Sequence, residues 1–99
     1  SGREKLEQYL NQVTGRLLNT YIQQMAEGMD ISGDSLHFIT EFYQAAIVGL
    51  ILGWLRSGMK EDPESLIIRI GVTVEDSVRH SLETSAGISF GEVKKQQIN

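Results

Sequence analysis

From Ala45 to Leu55 every residue is apolar or glycine, and no charge occurs between Phe42 and Leu55. An uninterrupted run of this kind can be a strand, a buried helix or a membrane span. The apolar pattern reaches from Phe38 to Met59, well beyond the usual strand of about 4–8 residues. A span needs roughly 20 apolar residues, and Gln44 and Arg56 bracket the run too closely for that. A helix buried on all sides remains, because a helix without a polar face has none to give to water. Its two sides differ in bulk at helical spacing. Ala45, Gly49 and Gly53 recur at intervals of four, with Ala46 at their edge, and form a small stripe. Ile39, Tyr43, Ile47, Leu50, Ile51 and Trp54 form a bulky face. Small residues let another backbone approach, and large ones fill a core, so this is expected to be the central helix.

The rest of the chain reads as two further helices. Leu6, Leu10, Val13, Leu17, Tyr21 and Met25 make one amphipathic stripe, giving a first helix over about residues 3–27. Gly15 inside it costs up to about 1 kcal/mol against Ala, which close packing or a small bend would explain; Gly28 is a natural left-handed stop. Ser32 and Asp34 compete as N-caps for the central helix, placed at about 35–57. Gly58 ends it, with Met59 in position for the apolar contact of a Schellman motif. Asp62 as N-cap, Pro63 at the first helical position and Glu64 in the first turn start the third helix, about 63–85. The short link between Gly58 and Asp62 forces an antiparallel hairpin. Leu66, Ile67, Ile70, Val74, Val78 and Leu82 share one stripe of this helix, while most of its charges lie opposite. The tail from Ile88 onward, with Phe90 and Val93, has little periodicity and reads as a docked or frayed end. One Pro and no Asn-Gly or Asp-Gly turn agree with an all-α chain forming one domain.

Charge and composition narrow the function. A net charge of −4 with no basic cluster beyond Lys94-Lys95 gives no footprint for nucleic acid or anionic membranes. The absence of cysteine rules out disulfides and thiolate chemistry. The polar start from Arg3 to Gln8 has no apolar signal core, so a cytoplasmic location is expected; Ser1-Gly2 reads as an expression scar. His37 and His80 lack a second ligand at helical spacing, and no cofactor or metal is expected. Glu61, Asp62 and Glu64 read as helix-start chemistry rather than acid–base catalysis. Gly49-to-Gly53 matches GxxxG, here read as packing in a soluble protein rather than in a bilayer. Nothing in the chain suggests an enzyme.

The hairpin FYQAAIVGLILGWLRSGMKEDPESL, residues 42–66, resembles the C-terminal regulatory domain of TetR-type transcriptional regulators. The features that carry this are Phe42-Tyr43, the glycine-bearing apolar run, Trp54-Leu55, Gly58-Met59 and Pro63-Glu64. The nearest likeness is a group of Gram-positive bacteria that includes regulators of dihydroxyacetone kinase genes. The resemblance implies a protein whose helix-turn-helix domain, absent from this chain, reads an operator, so that DNA is reached only through that domain. It also implies that the last two helices pair with their copies as a dimeric four-helix bundle. On that basis the expected interface is Ala45, Gly49, Leu52, Gly53, Ile67, Ile70, Val74 and Val78. A small apolar or amphipathic effector would sit against the bulky face, with Tyr21, His37, Phe42, Tyr43 and Trp54 as candidate contacts. The bland reading of those aromatics is core. A stand-alone helical interaction module without an effector is the alternative function.

Overall fold

A computed structural model describes residues 2–87, and the tail expectation for Ile88, Phe90 and Val93 lies outside them. Three helices follow in order: α1 (Gly2–Met25), α2 (Gly33–Arg56) and α3 (Pro63–Gly87). Among the described residues there is no strand.

Local chemistry sets the ends. Gly28, after α1, takes a φ of +81°. Of the two candidate caps, Ser32 is the one used: its Oγ accepts from the Ser35 backbone N–H at 3.1 Å, which supplies a partner for one of the free donors at the start of α2. At the other end of α2 the Gly58 N–H donates to the Leu55 carbonyl and the Met59 N–H to the Trp54 carbonyl, the two bonds of a Schellman ending. Gly58 has φ +85° and Met59 φ +57°. Met59 remains 56% exposed, so its side chain covers little of the helix it terminates. Asp62 Oδ2 then accepts from the Ser65 N–H at 3.1 Å and opens α3. Trp54 closes this turn from within: its Nε1–H donates to the Glu61 carbonyl at 2.7 Å, and the Glu61 carboxylate pairs with Arg69 at 2.7 Å.

The helices run up, down and up, with α2 between the other two. α1 packs along α2 more extensively than α3 does, and α1 and α3 barely touch. The core therefore gathers at one end, where Leu18, Ile22 and Ala26 of α1 meet Ile39 and Tyr43 of α2 and Val78 and Leu82 of α3. Met25, Met29, Ile31, Leu36, Ile47 and Val74 extend it. Toward the Trp54 end α1 and α3 stand apart, and the molecule is elongated, 51 × 25 × 23 Å.

Gly15 has a clear packing reason. A Cβ there would lie 2.9 Å from Gln44 Oε1 and 3.1 Å from its Cδ. The missing methyl lets the Gln44 amide lie against α1, where Nε2 donates to the Asn11 carbonyl at 3.1 Å and reaches Asn11 Oδ1 at 3.3 Å.

The central helix is less enclosed than an all-round apolar sequence predicts. Only Ile39, Tyr43 and Val48 are buried, while Phe38, Phe42 and Leu50 are 66%, 58% and 53% exposed. Taken over its whole length rather than over the uncharged run alone, α2 is long and apolar enough to cross a bilayer, a property that the core helix of a soluble protein shares, and here it packs against both α1 and α3.

Candidate functional surfaces

Two apolar surfaces lie on different sides of α2. The first is a groove between α1 and α3, floored by α2. Leu10, Val13, Thr14, Leu17, Leu18 and Tyr21 of α1 form one wall, Ile67 and Ile70 of α3 the other, and Ile47 and Ile51 the floor, enclosing about 450 Å³. It exists because α1 and α3 converge only at the core end, leaving their apolar stripes facing each other across α2 farther along. Its lining contains no charged residue; Thr14 and Tyr21 supply the only hydroxyls. A second stretch shares Tyr21, Ile47 and Ile70 with it and continues along α3 past Gly71, Val72 and Val74 to Glu75.

The second surface is the outer side of α2 with the adjoining flank of α3. Phe42, Ala46 and Leu50 face Leu66, Ile70, Thr73 and Ser77 across a shallow trough. Phe38 and Phe42 pair at 6.5 Å between ring centroids, and Phe42 meets Tyr43 edge-on at 5.3 Å. Ala45 and Gly49 are exposed beside them. A Cβ on Gly49 would meet nothing within 4 Å, and one on Gly53 only Arg56 Nη2 at 3.9 Å.

The residues proposed from sequence separate onto these surfaces and the core. Of the effector candidates, Tyr21 lines the groove. Tyr43 is buried at the α2–α3 contact, its hydroxyl hydrogen-bonded to Ser77 Oγ and, at 3.1 Å, to Ser81 Oγ. Phe42 lies on the outer side. His37 is exposed and 2.9 Å from Glu41 Oε1, along a polar crevice between α1 and α2. Trp54 belongs to the hairpin turn. These five do not form one site. The interface candidates divide as well. Ala45 and Gly49 face outward, with Leu52 and Gly53 half-buried. Val78 is fully buried in the monomer's own core and is not free to meet a partner, while Val74 packs against that core and stays half-buried; Ile67 and Ile70 line the groove. Ile70 and Val74 of the α3 set also border the outer trough. The α3 stripe is turned toward α1 and α2, because that is where Leu18 and Ile22 offer apolar surface to bury.

Sequence reasoning missed the groove wall, Leu10, Val13, Leu17 and Ile67, as a lining set. The signal was present: the stripe on α1 is longer than the core it joins, so its N-terminal half had no assigned neighbour. It also missed Leu66, Thr73 and Ser77 as the α3 flank of the outer trough.

Over residues 1–76 the chain matches the family described as the C-terminal region of TetR-type transcriptional regulators. No curated protein and no solved structure matches it.

Proposed function

Since the chain belongs to the TetR-type regulator C-terminal family, we propose that it senses a small effector and dimerises, and that the two surfaces flanking α2 divide those tasks. Membership implies a transcriptional regulator, a soluble cytoplasmic protein and not an enzyme. Within the family we place it near the regulators of dihydroxyacetone kinase genes, on the strength of the hairpin residues.

The observation that carries the dimer reading is the outer side of α2. Phe38, Phe42 and Leu50 are each more than half exposed there, around small residues with open space above Gly49. Contiguous apolar patches of more than a few hundred Å2 are uncommon on soluble monomers. A second copy related by a two-fold axis would cover Phe38, Phe42, Ala45, Ala46, Gly49 and Leu50 with its own, flanked by Leu66 and Thr73, as an isologous four-helix bundle. The sequence-based interface is thereby kept on α2 and moved to the other flank of α3. The groove on the α1 side is then left for the effector, with Tyr21 among its contacts. The stand-alone module gains no support from any feature of the chain.

Gly49→Leu tests this cleanly. A Cβ at this exposed position meets nothing within 4 Å in the monomer, and replacing Gly inside a helix is worth up to about 1 kcal/mol in its favour. A monomer should therefore tolerate or welcome it. A dimer closed over Gly49 should lose about 1–3 kcal/mol of association to overpacking. Sedimentation equilibrium is expected to show a dimer for the parent chain and dissociation for the variant at micromolar concentration. A monomeric parent, or a dimer indifferent to Gly49→Leu and Gly53→Leu, would refute the assignment.

A further inference from the structure

Resting on the effector reading above, we infer that the α1–α3 groove takes an amphipathic cation, its apolar chain along α1 and its cationic head at Glu75. The body of the groove offers only aliphatic side chains, one aromatic ring and two hydroxyls, so it can neither hold nor neutralise a charge. It runs along α1 from Leu10 to Tyr21, about 16 Å at the rise of an α-helix, and its length and apolar lining suit an alkyl chain rather than a compact polar metabolite. At the Tyr21 end the same surface continues to Glu75, the one charged residue along it.

That carboxylate is uncommitted. Among the described residues Glu75 has no ion pair or hydrogen bond, and Arg79, one turn along α3, does not pair with it. Tyr21 lines the same stretch as Glu75, and an aromatic ring and a phenolic oxygen both attract a cation. An anionic head would meet Glu75 and a chain of net charge −4, so the field opposes it. A neutral head would be tolerated without preference. Glu75 is exposed, so its selectivity is that of a solvent-screened pair, about fivefold rather than a thousandfold.

The experiment compares three probes with the same alkyl chain, decyltrimethylammonium, decanol and decanoate, by isothermal titration calorimetry below their micellar concentrations on the 99-residue chain. Decyltrimethylammonium is expected to bind about fivefold tighter than decanol, with decanoate weakest, and the gap should narrow as salt is raised. Glu75→Gln should bring the cation and the alcohol to within about twofold of each other. Leu17→Ser, at an exposed position of the groove wall, should weaken both alike. If decanol binds and Leu17→Ser weakens it, but the cation is not preferred or its preference survives Glu75→Gln, the charge assignment is overturned while the effector groove stands. If none of the three binds, the assignment and the effector reading fall together.

Discussion

Gly15 and Gln44 allow the packing of α1 on α2 to be tested by a double-mutant cycle. A methyl group added by Gly15→Ala would stand 2.9 Å from Gln44 Oε1 and 3.2 Å from Nε2, closer than carbon and amide atoms can remain. The obstacle is the end of a flexible side chain, so the amide swings away and the helices hold their places. What is lost is the pair of bonds from Nε2 to the Asn11 carbonyl and Oδ1. Half-buried and neutral, they are worth about 1 kcal/mol net. What is gained is helix propensity, up to about 1 kcal/mol for Gly to Ala. The two nearly cancel, and Gly15→Ala alone is expected to change stability by less than about 0.5 kcal/mol. In a Gln44→Ala background the clash and the bonds are both gone, and the same substitution should stabilise by about 1 kcal/mol. The coupling energy is the difference, about 1 kcal/mol. Thermal and urea unfolding at one fixed protein concentration would measure it, since the proposed dimerisation would make the midpoint concentration-dependent. Equal stabilisation by Gly15→Ala in both backgrounds would mean that Gln44 does not occupy the space above Gly15, and close packing would then not be why a glycine stands at that position.

Three further outcomes follow from other parts of the fold. Leu82→Ala, at a side chain with no exposed surface, should cost about 2–5 kcal/mol, and for a domain of this size about 4–8 °C of melting temperature per kcal/mol; a loss under 1 °C would place the core elsewhere. Gly58→Ala forces a Cβ into a φ of +85° and should destabilise by about 1–2 kcal/mol, whereas Gly33→Ala, a helical glycine with open space around it, should not destabilise; calorimetry of the pair distinguishes conformational from packing effects. Trp54→Phe removes the donor to the Glu61 carbonyl and is expected to speed amide exchange in the turn from Ser57 to Asp62 at a cost of about 1 kcal/mol; unchanged exchange there would show that the Schellman ending and Asp62 cap hold the turn without it.

The chain's own chemistry determined the number of helices, their order and nearly all their ends. Gly28, Gly58 and Asp62 act through backbone conformation or bonds to residues three or four positions away, and such short-range effects are written wherever the residues stand. Between Ser32 and Asp34 the sequence left the cap open, and the geometry of the first turn selected Ser32. The tertiary structure alone decided how each helix is rotated about its axis. α2 has no polar side to fix its orientation, so its small stripe could have faced α1, α3 or water. The Gln44 amide seated over Gly15 and the Tyr43 hydroxyl between Ser77 and Ser81 set that rotation, and they leave Ala45 and Gly49 outside. The same packing drew Val74 and Val78 inward and left Ile67 to the groove. A stripe on a helix states which residues share a side; only the neighbouring helices determine whether that side meets a core, a ligand or a second copy of the chain, because burial depends on what lies opposite.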